Sequence, residues 1–112
     1  MLGFHISVYQ QTDKGTSPAT LTSPKGKRLA EWETGLSGLD WIDELVKDGK
    51  AIDLGVFGLL GGYTATAEHL IPRIVEHPPG ALEWQWRTGV DRAALADCRP
   101  DEWLLVEAWD LG

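Results

Sequence analysis

Two segments near the start of the chain, 2–10 and 27–34, alternate apolar and polar residues. A period of two places the apolar residues on one face of a β-strand, so the two segments predict a β-hairpin. Its connection, 11–26, is rich in Ser, Thr, Pro and Gly. We expect a long, mobile loop there, serving either as a plain connection or as a binding loop. The apolar set of the first strand is Phe4, Ile6 and Val8.

Two later segments repeat apolar residues at the spacing of an amphipathic helix. The first begins with Ser37 and Asp40, which match a capping box, and Gly49 is placed to end it. The second, 66–77, contains Pro72, which fits a first helical turn and kinks a helix anywhere later. The apolar stripes are Leu39, Ile42, Leu45 and Val46 in the first helix and Leu70, Ile71, Ile74 and Val75 in the second.

Three further segments, 50–54, 81–88 and 103–109, predict strands, and Asp91 is placed to cap a short helical turn before the last of them. The last strand is apolar on both faces, which favours a position in the middle of a sheet. We therefore expect a single α+β domain over 1–112: a mixed, mainly antiparallel sheet of about five strands with two main helices packed on one face. The first helix lies between two predicted strands, which suggests a right-handed crossover.

The stretch 55–63 sets four glycines among large apolar residues. Glycine at this density permits positive φ angles and close approach of the backbone. The spacing matches neither a dinucleotide-binding fingerprint nor a P-loop, so a structural turn or an apolar lip is the better interpretation. If four of its side chains are exposed together, they form a patch for a partner: Val56, Phe57, Leu59 and Leu60.

The net charge of −7 is spread unevenly along the chain. Residues 1–28 hold one acidic and four basic residues, whereas 29–112 hold 16 acidic and six basic residues. An acidic surface repels phosphate backbones, which argues against nucleic acid and favours a protein partner with a basic surface. The candidate contacts on the first helix are Asp40, Trp41, Asp43 and Glu44. Trp41 lies at the border of the acidic face, either as cover for the core edge or as an exposed anchor.

The expected compartment follows from what the sequence lacks. The single cysteine, Cys98, cannot form an intramolecular disulfide, which is typical of a reducing environment. The chain does not open on a basic and apolar leader, and it has no apolar run near the ~20 residues of a membrane-spanning helix. We therefore expect a soluble, cytoplasmic protein without a membrane partner.

Chemistry-bearing residues form no familiar motif. The histidines lack the spacing of a shared metal site. We expect Cys98 to be a small side chain, buried or without a chemical role. We therefore expect no catalytic residue, metal or cofactor. Glu107 is the exception, since it lies on the last strand between Trp103 and Trp109. A carboxylate there either has a partner, for which Arg87 is the candidate, or has a raised pKa. A structural ion pair or a position facing solvent is the better interpretation.

These patterns favour a non-enzymatic binding protein that masks a protein partner, in the manner of inhibitors, immunity proteins and antitoxins. One alternative is a small-molecule-binding domain or enzyme with a tryptophan-lined pocket near Glu107. Another is the subunit of a homo-oligomer, in which the stretch 55–63 is a self-interface.

Overall fold

The computed structural model describes residues 3–75, 78–81 and 89–112. Within these ranges the chain forms six strands and three helices. The elements are β1 (Phe4–Gln11), β2 (Lys25–Thr34), α1 (Asp40–Lys47), β3 (Ala51–Phe57), β4 (Leu60–Thr66), α2 (Ala67–Ile74), β5 (Gly89–Val90), α3 (Arg92–Asp97) and β6 (Trp103–Asp110).

The strands form one sheet in the order β3-β4-β6-β1-β2-β5, and each described pair is antiparallel. The α+β class is confirmed, but among the described residues the sheet is antiparallel rather than mixed and has six strands rather than about five. As predicted, β6 is a central strand, because β4 pairs along one side of it and β1 along the other. The hairpin of β1 and β2 is also confirmed.

The strands β4 and β5 were not predicted from the sequence. Leu60, Gly61 and Gly62 open β4, and glycine is depleted in strands because it has no side chain to pack. Pairing to β3 and β6 on both sides determines this strand, and neither partner is visible in the local pattern. The strand expected at 81–88 lies outside the described residues except for Ala81, which forms an isolated bridge to Thr34.

The expected crossover at α1 differs from a βαβ unit of neighbouring strands. The helix connects β2 to β3, and three strands (β1, β6 and β4) lie between them in the sheet. The connection therefore carries the chain to the far edge of the sheet, where β3 and β4 form a second hairpin.

The helix α1 begins at Asp40 without a side-chain cap, so the predicted capping box at Ser37 is wrong. The carbonyl of Ser37, not its hydroxyl, accepts a hydrogen bond from the Asp40 N–H (3.1 Å). Gly38 is buried against Thr34, where a Cβ would lie 1.8 Å from Oγ1 of that threonine. This close approach holds the residues before α1 in turns. Gly49, with φ of 74°, follows the end of the helix, as predicted.

The other two helices differ in how they begin. Thr66 occupies the N-cap position of α2 without a side-chain cap bond, and Pro72 lies beyond the first turn, inside the helix. Asp91 caps α3 as predicted, because its Oδ1 accepts a hydrogen bond from the Ala94 N–H at 2.9 Å. No helix in the described ranges is long and apolar enough to cross a membrane.

The core lies between the three helices and one face of the sheet. Trp32 of β2 and Trp41 of α1 meet there with ring centroids 6.1 Å apart and planes tilted by 44°. The Trp32 ring nitrogen donates a hydrogen bond to the carbonyl of Pro79 (2.9 Å). The sheet contributes Ile6, Val8, Leu104, Val106 and Ala108 to this core, and the helices contribute Ile42, Leu45, Leu70, Ile74 and Leu95.

Candidate functional site

The turn of the β3–β4 hairpin presents large apolar side chains to solvent. Val56 is 77% exposed, Phe57 82% and Leu59 61%, while Leu60 is half-buried. Phe57 and Leu60 are register partners, so Gly58 and Leu59 form a two-residue turn, with Gly58 at φ of 62°. The exposed side chains of Val56, Phe57 and Leu59 are called the hairpin tip below. Apolar side chains exposed together commonly mark a binding surface.

The hairpin tip lies at the end of an edge strand that is poorly suited to pair with another strand. The register of β3 shifts between Asp53 and Gly55, and Gly55 has φ of 87°. The Asp53 Oδ1 accepts a hydrogen bond from the Gly55 N–H (2.8 Å), which fixes this irregularity. A bulge and a charged residue both discourage edge-to-edge pairing. The surface therefore favours contact through side chains over the addition of a strand.

The acidic face of α1 lies beside this hairpin. Asp40, Asp43 and Glu44 are exposed, and the Tyr63 hydroxyl of β4 donates a hydrogen bond to the Asp43 Oδ1 (3.1 Å). Burial, followed by the charge of Asp43, raises the pKa of Tyr63 far above its ordinary value, so the phenol remains a donor. Glu44 approaches Arg73 at 3.7 Å, and such an exposed pair leaves most of the acidic character of the face in place.

A groove of about 270 Å³ separates the start of α1 from the hairpin. Gly61 and Ala108, register partners on β4 and β6, lie at its floor on the helix side of the sheet. None of the described residues that line it is basic. Its lining includes Leu39, Asp53, Val56, Leu59, Tyr63 and Asp110. The groove therefore adjoins Val56 and Leu59 of the predicted apolar patch, and Tyr63 in its wall connects it to Asp43 of α1.

Trp41 does not belong to this surface. Its side chain is only 7% exposed and packs in the core against Trp32. The ring nitrogen has no hydrogen-bond partner within the described part of the chain. The ring covers the core edge and is unavailable as an exposed anchor in this structure.

Glu107 lies on the opposite face of the sheet and is 2% exposed. Its partner is Lys25, whose Nζ lies 2.7 Å from Oε2. The Oε2 atom of Glu107 makes no hydrogen bond of good geometry with any described residue. The contact with Lys25 is therefore an ion pair rather than a hydrogen bond. Arg87, the partner suggested by the sequence, lies outside the described residues. Of the two tryptophans predicted beside Glu107, Trp103 is half-buried and Trp109 is exposed.

The long connection between β1 and β2 lies over this second face. The Ala19 N–H donates a hydrogen bond to the Thr64 hydroxyl (3.1 Å), and the Gly15 carbonyl accepts one from the Trp103 N–H (3.0 Å). Leu21 packs closely on Gly62, because a Cβ added to Gly62 would lie 2.2 Å from the Cδ2 atom of Leu21. The Glu107 carboxylate is therefore covered by the chain itself, rather than placed at the bottom of an open, tryptophan-lined pocket.

The remaining chemistry-bearing residues are dispersed. Among the described residues, no three His, Cys, Asp or Glu side chains come together as a metal site would require. Cys98 is half-buried, and its Sγ lies 3.4 Å from the Ala94 carbonyl and 3.6 Å from the Gln10 Nε2.

The groove was not predictable from the local sequence pattern, because its floor is defined by small residues. The sequence pattern places Gly61 in a turn-like, glycine-rich stretch and Ala108 in an apolar strand. The available signal was Asp53, an acid within an otherwise apolar strand, which lies on the rim of the groove. The chain matches no protein family, no curated protein and no solved structure.

Proposed function

We propose that this chain is a non-enzymatic binding protein that masks a protein partner with a basic surface. The single observation that carries the proposal is the exposure of Val56, Phe57 and Leu59 at one hairpin tip beside an acidic helix face. When a partner covers exposed apolar side chains, their burial stabilises the complex by roughly 25 cal/mol for each Å² removed from water. The acids around them select a partner of positive charge.

The hairpin tip alone is too small to be the whole interface. A stable interface buries about 800 Å² on each partner, and the largest aromatic side chains supply about 150–250 Å² each. The chain exposes 6098 Å² in total, so such an interface would cover about an eighth of it. The contact therefore extends from the tip across the groove to Asp40 and Glu44 of α1.

The division of labour between the two parts follows from their chemistry. Exposed acids attract a basic partner over distances of about a Debye length, roughly 8–10 Å at moderate salt. They mainly raise the association rate, which falls as salt is added. The apolar tip acts after contact, because burial of its side chains slows dissociation.

Affinity capture from a lysate of the source organism tests the proposal. The protein serves as bait at low salt, followed by a salt step and mass spectrometry. We expect one dominant basic protein, released by salt. The variant Asp40→Asn/Glu44→Gln retains less of it, whereas Asp97→Asn/Asp101→Asn, which removes the same charge elsewhere, retains it fully. These control residues both precede the start of β6, whereas the tip adjoins its far end. An empty bait, or equal capture by both variants, contradicts the proposal.

The same exposed tip also suits self-association, which is the competing use of these residues. Sedimentation of the isolated protein over a range of concentrations separates the two uses. A strict monomer excludes the homo-oligomer hypothesis. A dimer that Phe57→Ser abolishes would mean that the tip is a self-interface and not the surface that masks a partner.

A further inference from the structure

The groove beside the hairpin tip has room for one side chain from outside. Its floor residues, Gly61 and Ala108, project nothing larger than a methyl group toward α1. Its volume of about 270 Å³ is smaller than the roughly 300–1,000 Å³ of pockets that hold cofactors and drug-sized ligands. The space therefore fits an inserted side chain better than a free small molecule.

Two carboxylates lie toward opposite ends of this floor. Asp53 pairs with Tyr63, two residues to one side of Gly61, and Asp110 lies two residues beyond Ala108 on the other side. At roughly 3.3 Å per strand residue, each is about 7 Å along the strand from the middle of the floor. A long side chain lying on the floor can bring its end group to either acid.

Both carboxylates have acceptor capacity to spare. The Asp53 Oδ1 accepts the Gly55 N–H (2.8 Å), and the Asp110 Oδ1 accepts the Gly112 N–H (2.9 Å). Neither acid makes an ion pair within the described ranges. A carboxylate offers about four lone-pair sites on two oxygens, so each can still receive a charged donor.

We infer that the groove binds a basic side chain, arginine or lysine, carried by the protein partner. Its methylene groups lie on Gly61, Ala108 and the Tyr63 ring, and its charged end pairs with Asp53 or Asp110. Long basic side chains have this division into an apolar stem and a charged head. The Tyr63 hydroxyl is held by Asp43, which keeps the ring in place as a wall. This inference rests on the proposed function and names the chemistry that the site selects.

Titration with small probes, followed by NMR of the backbone amides, tests the inference without the partner. The probes are N-acetyl-arginine amide, N-acetyl-lysine amide and N-acetyl-citrulline amide, the last being the neutral counterpart of arginine. We expect the cationic probes to shift the amides of Gly61, Gly62 and Ala108. Citrulline is expected to bind about fivefold more weakly, because it cannot form the ion pair with Asp53 or Asp110.

Matched variants separate charge from space. Asp53→Asn/Asp110→Asn keeps both local acceptors and is expected to lower arginine affinity about fivefold, whereas Asp97→Asn/Asp101→Asn leaves it unchanged. Gly61→Val fills the floor, where a Cβ meets its nearest atoms at 3.7 Å and 3.9 Å, and is expected to abolish binding. If Gly61→Val fails to fold, the comparison of Asp53→Asn/Asp110→Asn with Asp97→Asn/Asp101→Asn alone tests whether the groove binds the probe.

Three results overturn the inference: no amide shift with either cationic probe, equal affinity for citrulline, or equal loss in the control variant. Shifts of the same amides on raising protein concentration without probe also overturn it, since a second copy then occupies the groove. The titration uses no partner, so it can fail while the salt-sensitive capture succeeds, and the capture can fail while the titration succeeds. The two results therefore test the groove and the masking role separately.

Discussion

The ammonium group of Lys25 lies 2.7 Å from the Oε2 of Glu107, across the width of β1. Lys25 is the first residue of β2, and Glu107 lies near the middle of β6 on the face opposite the helices. The lysine also lies over the Tyr9 ring, with Nζ 5.4 Å from its centroid. This ion pair compensates a carboxylate that is almost completely withdrawn from water, and it marks the place where the long β1–β2 connection returns to the sheet.

Replacing Lys25 with methionine leaves the Glu107 carboxylate buried without its countercharge. We expect Lys25→Met to lower the free energy of unfolding by about 1–3 kcal/mol, which is below the cost for a fully buried pair because Lys25 is 40% exposed. Urea unfolding measures the change. Lys50→Met makes the same substitution at an exposed site and is expected to cost less than about 0.5 kcal/mol.

The double variant Lys25→Met/Glu107→Gln removes the uncompensated charge. It is expected to regain part of the stability lost by Lys25→Met alone, because a neutral amide is far less costly to bury than a carboxylate. If the double variant is less stable than the single variant, the ion pair is not what matters at this position.

The Thr64 hydroxyl fastens the β1–β2 connection to the sheet. It accepts the Ala19 N–H (3.1 Å) and donates to the Leu104 carbonyl (2.7 Å), with the side chain fully buried. Thr64→Val keeps the shape but removes both bonds, and we expect it to cost about 1–3 kcal/mol. Hydrogen exchange of the Ala19 amide should accelerate as well.

The matched control is Thr66→Val, since that hydroxyl contacts His69 rather than the connection. If exchange at Ala19 is the same in wild type and Thr64→Val, the contact does not hold the segment. The same exchange data, taken over all of 11–26, also test the prediction that this loop is mobile.

Cys98 is expected to be an unreactive thiol. Burial raises the pKa of the Cys98 thiol, and the charge of Glu102 raises it further. Because the thiolate is the nucleophile, alkylation by iodoacetamide at pH 8 should be slower in the folded protein than in the urea-unfolded chain. Equal rates in the two states would mean that the environment of Cys98 does not suppress its ionisation.

The cap of α3 makes stability depend on pH. The Ala94 N–H, together with Lys27, lowers the pKa of Asp91. A lowered folded-state pKa stabilises the protein above the unfolded-state value, near 3.9 for aspartate, and this stability is lost as the pH falls through the lower folded-state pKa. Wild type should therefore exceed Asp91→Asn in thermal midpoint at pH 7, and the difference should shrink by pH 3. A difference that is constant with pH contradicts the assignment.

Features set by neighbouring residues could be predicted from the sequence. The strand around Ile6, the cap at Asp91 and the glycine after α1 all depend on residues within a few positions, and the structure contains each of them. The alternation in burial expected for that strand is absent, because Ser7 is buried as well as Ile6 and Val8. The central position of β6 was also predictable, because a strand covered on both faces must be apolar on both.

Features set by distant residues could not be predicted in this way. Ser37 had the local chemistry of a cap, but α1 begins at Asp40 with Leu39 at the N-cap position, after a turn in which Gly38 packs against Thr34. Lys25 and Glu107 meet only because β2 and β6 flank β1. The groove likewise exists only because β4 places Gly61 beside Ala108.

The most direct test of the central claim is paired capture with wild type and Val56→Ser/Phe57→Ser as baits under the same low-salt conditions. Leu36→Ser is the control, because it removes an exposed apolar side chain from the connection between β2 and α1. The account predicts that a basic protein binds to wild type and to the control and is lost from the hairpin variant. Equal capture by all three baits would contradict the claim that the hairpin tip is where this protein binds its partner.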